Sequence, residues 1–176
     1  MYRRFRHTPL HGGNGDDIAR LDQALKRTGA QRLVVLGDLV HGYVGYNPPL
    51  IVEVAAWRQS YPKLPIHLIR GNHDRAVGDP PLEWNIQPQD GPMRGPLFVL
   101  QHEPVPPPRT GYALAGHLHP TVEQTGSKQR HTLPFFWFRK NMAVLPAFVS
   151  LVPHVVITPG PKDTVFAIND ETVERT

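Results

Sequence analysis

The chain reads as an α/β protein, and three observations predict it. Continuous apolar runs at 32–36 and 66–69 are signals of buried strands, and a helical segment lies between them. Each run closes on glycine followed by polar residues. Twenty prolines keep the elements short and the loops many. A length of 176 residues suits a single domain, residues 1–176, with a sizeable core.

Taken in order, Asp16 and Asp17 precede Ile18, Leu21 and Leu25, and Gly29 follows. Apolar residues at i, i+3 and i+7 between acidic caps and a glycine predict an amphipathic helix. Residues 32–36 then form a buried strand that ends in Gly37-Asp38. Asn47-Pro48-Pro49 opens a second helix, where proline fits the first turn. That helix runs to Ser60, with Leu50, Val54 and Trp57 on its inner face. Residues 66–69 are the next strand, and strand, helix, strand at this spacing predicts a parallel pair. In the second half strands dominate. Residues 97–100 end in Gln101-His102-Glu103, and 112–115 end in Gly116-His117-Leu118-His119. Residues 133–138 and 142–148 flank Arg139-Lys140-Asn141 as a hairpin, and 165–168 are the last strand expected.

The bulk composition narrows the function. With no cysteine there is no disulfide framework, no thiolate metal site and no cysteine nucleophile. A reducing cytoplasm fits such a chain. The longest apolar run, 142–152, is broken by Pro146 and Ser150 and falls far short of the roughly 20 residues of a membrane helix. The basic start has no apolar stretch behind it, so it makes a poor signal peptide. A net charge of +4 tilts mildly toward anionic partners such as phosphates or nucleic acid. The cluster Arg3, Arg4 and Arg6 reads first as a solvated terminus. Ten histidines invite a search for metal ligands.

That search succeeds at the strand ends. Gly37-Asp38, Gly71-Asn72-His73-Asp74, His102 and Gly116-His117-Leu118-His119 each follow one of the first four strands. Ligands of α/β sheets bind at carboxyl ends of strands, so parallel placement brings these clusters to one rim. The donors are a carboxylate, an amide oxygen and several imidazoles. Such a set suits Mn, Fe, Zn or Ni better than Ca or Mg. Gly37, Gly71 and Gly116 sit where the backbone turns sharply off a strand. In an extended Gly-His-Leu-His the two rings point to the same side and reach neighbouring ions. Singly, each piece is common; the ordered set is specific.

The order Gly-Asp, Gly-Asn-His-Asp, His, Gly-His-x-His resembles the calcineurin-like metallophosphoesterases. Gln101-His102-Glu103-Pro104, Ala115-Gly116-His117-Leu118-His119-Pro120 and Leu145-Pro146-Ala147-Phe148 further resemble the bacterial ligase-associated DNA damage response phosphoesterases. The resemblance implies a four-layer α/β/β/α sandwich with a dinuclear centre of divalent metal, manganese first among the candidates. It implies that Asp38 bridges both ions, that Asn72, His102 and His117 complete one shell, and that His119 serves the other. His73 is then the acid or charge stabiliser beside the scissile phosphate, and Asp74 orients it. His41 is placed near the substrate rather than on a metal, and Arg75 is also placed with the substrate. The implied activity is phosphoester hydrolysis, a phosphodiester or nucleic acid favoured, by a metal-activated hydroxide.

Two departures stand against the resemblance. The family opens with a strand carrying Asp-x-His, which gives two ligands to the first ion, and this sequence has no such motif. The expectation is therefore a domain missing its first strand, weakened activity and one tightly held ion in place of two. His7 and His11 are weak substitutes. After Phe148 the usual Thr-Gly-Gly turn is replaced by Val149-Ser150-Leu151-Val152. A phosphomonoesterase, and an impaired metal-binding or partner-binding descendant, are the other readings. The region 37–42 lacks the Asp-Arg pair of protein phosphatases, and Asp74 replaces their Glu, which argues against that class.

Overall fold

The computed structural model describes residues 14–40, 46–106, 111–123, 132–149, 152–169 and 172–176. The first helix, α1 (Asn14–Thr28), carries Asp16 and Asp17 in its first turn and Lys26 and Arg27 in its last. Both placements offset the helix dipole. It stops as expected: Gly29 turns left-handed at φ 60, and its N–H donates to Leu25 O at 2.9 Å. Strand β1 (Leu33–Val35) leads to α2 (Pro48–Gln59), whose N-cap Asn47 accepts from the Leu50 N–H at 3.0 Å. Strand β2 (Ile66–Ile69) lies parallel to β1, with Leu33 opposite Ile66, so the βαβ unit forms as predicted.

The chain then does more than the sequence signalled. From β2 it enters a short helix, α3 (Asn72–Val77), then a 3₁₀ turn (Leu82–Trp84) and β3 (Gln87–Gln89). Strand β3 runs parallel to β2 and completes a three-stranded sheet in the order β1-β2-β3. Its polar sequence carries no strand signal, and Pro88 is tolerated because β3 closes the described sheet on that side. Strand β1 is half-buried, not buried as expected, since it is the other end of that sheet. Leu25 of α1 packs with Leu64 and Ile66 beneath the helices, joined by half-buried Leu33 and Trp57. Arg58 of α2 is buried and donates to the carbonyls of Trp84 at 3.0 Å, Leu64 at 2.7 Å and Tyr61.

The second sheet is mixed, with β10-β7-β8-β9-β6-β5-β4 as its main path. Its members are β4 (Met93–Arg94), β5 (Phe98–Leu100), β6 (Tyr112–Ala115), β7 (Pro120–Glu123), β8 (Thr132–Phe138), β9 (Met142–Val144), β10 (Val155–Val156), β11 (Thr164–Asn169) and β12 (Thr172–Arg175). Strands β5, β6 and β9 are mutually parallel in the order β5-β6-β9. The predicted hairpin is present, with Trp137 opposite Val144, but β9 stops at Val144 and residues 145–148 leave the sheet. Pro146 in that stretch has no N–H to give a ladder. Strand β11 is not the last: polar, exposed β12 pairs with it. Ala113, Phe135, Met142, Ala143 and Val144 are buried in this half. Each large apolar side chain here contributes about 1.5–3 kcal/mol. No described helix is long and apolar enough to cross a membrane.

Candidate metal centre

The two sheets meet where the carboxyl end of β1 abuts the ends of β5 and β6. The contact is close enough to restrict side chains. A Cβ at Gly71 would lie 2.7 Å from the Asp38 backbone nitrogen and 2.7 Å from His102 Cε1. Gly71 itself has φ −83, so it serves close packing and not the unusual turn expected for it. Gly37 is different: it is left-handed at φ 84, and a Cβ there would also strike the His102 ring and the Gly71 Cα.

Asp74 ties these turns together. It is 1% exposed, and its carboxylate accepts the N–H groups of Asp38 at 2.7 Å, Leu39 at 3.0 Å and Gly71 at 2.8 Å. The end of β1 and the start of α3 are thereby fixed by one buried anion. Its described bonds thus give Asp74 a scaffolding task that the sequence did not suggest. Asp38 is aimed by the same lattice, its Oδ1 accepting the His73 N–H at 3.0 Å.

Four side chains from four strand ends converge on one point. His102 Nε2 lies 3.1 Å from Asn72 Oδ1, 3.0 Å from His117 Nδ1 and 3.5 Å from Asp38 Oδ2. The ligand atoms of Asp38, His102 and His117 all fall within 4.8 Å of one another. Ligand atoms about 2.1 Å from a shared ion stand roughly 3.0–3.4 Å apart, so these spacings match a coordination shell. Chemistry gives the same answer. His102 Nδ1 lies 2.8 Å from the Leu36 carbonyl, which only accepts, so Nδ1 holds the proton and Nε2 presents a lone pair. That lone pair faces a carboxylate and an amide, and His102 is 4% exposed. One cation satisfies all of these acceptors together. Burial, and then the neighbouring His102, hold the His117 imidazole below its ordinary pKa and so favour the neutral, ligating form. The donor set therefore fits a divalent ion.

The site is also paid for in backbone strain: Asp38, His117 and His119 are left-handed at φ 53, 69 and 46. Non-glycine residues in that region cost on the order of 1–3 kcal/mol each and cluster at functional sites. The extended Gly-His-Leu-His segment is thus corrected to a turn. In it His117 points into the cluster, while His119 Nδ1 donates to the Pro153 carbonyl at 2.7 Å. His119 stands on the wall of a cavity of about 360 Å³ that opens over the cluster.

That cavity gathers Asp38, Asn72, His73, His117 and His119 of the expected residues. His102 lies beneath it as the centre of the cluster. Arg75 is not brought in; its Nε lies 3.6 Å from Asp90, which also pairs with Arg70 at 3.1 Å. His41, His7 and His11 lie outside the described residues. The other wall was not foreseen: Pro153, His154 and Val155 line the cavity beside Leu118. Only the count of histidines hinted at His154, because a two-residue strand following a loop has no periodic signature.

Comparison with known proteins identifies a family. The family model described as calcineurin-like phosphoesterase matches residues 7–140. The crystal structure of Pseudomonas putida nuclease MPE is 37% identical, with a TM-score of 0.81, over 87% of this chain and 74% of that one. YfcE, a phosphoesterase from E. coli, is 18% identical with a TM-score of 0.45, over 93% of this chain and 86% of that one. Curated proteins give no match.

Proposed function

The chain belongs to the calcineurin-like phosphoesterases, metal-dependent hydrolases of phosphoester bonds, and from that premise we propose that it cleaves phosphodiesters, nucleic acid first among them. The observation that carries the proposal is the convergence of Asp38, Asn72 and His117 on Nε2 of His102. The 37% identical relative is a nuclease, which supports a diester of nucleic acid over a monoester. A role beside DNA ligation, like that of the phosphoesterases its motifs resemble, extends the same proposal.

Asp38, Asn72, His102 and His117 would hold one divalent ion tightly, manganese by preference, and His119 would serve a second that has lost its other family ligands. When bound, such ions neutralise phosphate oxygens and acidify water at neutral pH. The residues of the chain do the rest. The Leu36 carbonyl keeps the proton of His102 on Nδ1, away from the ion. Asp74 holds the two turns in register, so the donors need no reorganisation when substrate arrives. His73, on the cavity wall, gives a proton or a hydrogen bond to the leaving oxygen.

Hydrolysis of bis-p-nitrophenyl phosphate and of p-nitrophenyl phosphate, with added Mn²⁺ and after chelation, tests this. Metal-dependent turnover of the diester in preference to the monoester is expected. Preference for the monoester would make the chain a phosphomonoesterase, and failure on both with metal bound would make it a binding protein.

A further inference from the structure

The cavity has two walls of different origin. His73 rises from the start of α3, at the end of the first sheet, and His154 rises from the segment that enters β10, at an edge of the second. The segment bearing His154 is fixed. His119 Nδ1 donates to the carbonyl of Pro153 at 2.7 Å, and the Val155 N–H returns to the carbonyl of His119 at 3.2 Å. These two bonds clamp His154 between residues anchored to the metal-site turn. The parallel pairing of β10 with β7, Val155 opposite Pro120, extends the clamp. Yet the His154 ring is exposed, and no described residue bonds it. An exposed imidazole on a backbone segment held this firmly, lining the cavity, is placed to meet something that enters it.

We propose that His154 is a substrate-binding residue that donates a hydrogen bond to a non-bridging oxygen of the phosphate, from the wall opposite His73. The inference rests on the phosphoesterase reading for its ligand, a phosphate ester, and on the clamp for its position. His154 is not a further ligand of the ion cluster: the described three-residue cluster within 4.8 Å is Asp38, His102 and His117. His154 lies beyond residues 7–140, which the family model matches, and after Phe148, where the sequence departs from the resembled pattern.

The test uses the full chain loaded with Mn²⁺. His154→Ala and His154→Gln are compared with wild type in metal content, in KM and kcat for bis-p-nitrophenyl phosphate, and in calorimetric affinity for thymidine 5′-monophosphate. For the alanine variant we expect unchanged metal, a KM raised about tenfold with kcat less affected, and a similar loss of nucleotide affinity, the usual weight of one neutral hydrogen bond. The glutamine variant, which keeps a donor, should recover part of both. If wild type binds the nucleotide through His154 but hydrolyses no ester, the phosphoesterase reading falls and this inference stands. If His154→Ala leaves KM and affinity within twofold, or wild type binds no nucleotide, the inference falls. Loss of metal in the alanine variant also overturns it, since His154 would then be a ligand.

Discussion

The ion cluster and the rim above it are built by opposite means. Asp38, Asn72 and His102 stand on turns locked by a buried carboxylate, by glycines that admit no Cβ and by carbonyl partners. His119 and His154 stand on two segments tied to each other by two hydrogen bonds at a sheet edge, open to solvent. Donors for a small ion must hold their spacing to a few tenths of an ångström, whereas a wall for a phosphate ester must admit and release it. Rigidity is thus concentrated where geometry decides affinity. The contrast makes definite demands: damage to the scaffold should abolish everything, damage to the donors should abolish metal and chemistry, and damage to the walls should spare the ion held by the cluster.

The largest effect is expected at Asp74. Asp74→Ala leaves one buried and two half-buried N–H groups without their acceptor, each at up to about 1–3 kcal/mol. The variant should lose about 3 kcal/mol or more in urea unfolding and bind no tight metal. Urea midpoints within error of wild type would show that the turns hold without their staple. His117→Ala comes next. It removes a donor without removing the scaffold, so the fold should stay and metal affinity should fall by about 100-fold or more, beyond the 10–100-fold usual for outer-shell losses. Elemental analysis after desalting reads the result. His73→Ala sharpens the division between cluster and wall: metal content should hold while kcat drops about 10²–10⁴-fold. Concurrent loss of metal would put His73 among the ligands.

The same contrast explains what the sequence revealed. The ligand types were legible because each ends a hydrophobic strand, and both strand signals and glycine punctuation are local. Asn72, His102 and His117 come from different strands; their places at strand ends marked them, and the family resemblance assigned them to one ion. The task of Asp74 was not legible, since it depends on N–H groups 35 and 36 residues away. The orientation of His119 was misjudged because alternation along an extended chain was assumed where the backbone is left-handed. Strand β3 escaped notice because Gln87, Pro88 and Gln89 owe their conformation to β2 and nothing to their own propensity. His154 escaped because only the pairing of β10 with β7, Val155 opposite Pro120, brings it to the cavity.

The smallest effect is expected at Arg75, and it sharpens the boundary of the site. Its neighbours in sequence, Asn72 and His73, line the cavity, and a cation beside them would attract a phosphate ester. The structure turns it elsewhere. Arg75 Nε faces Asp90 at 3.6 Å, and Asp90 also pairs with Arg70, which makes a two-pronged contact with Asp79 at 2.7 and 2.9 Å. The paired charges compensate one another, Arg75 is half-exposed, and an exposed ion pair contributes about 0–1 kcal/mol. Arg75→Ala should therefore change KM for bis-p-nitrophenyl phosphate by less than about threefold, leave metal content alone and shift the urea midpoint little. A tenfold rise in KM that vanishes in high salt would show the guanidinium leaving Asp90 for the substrate, and would extend the substrate wall along α3.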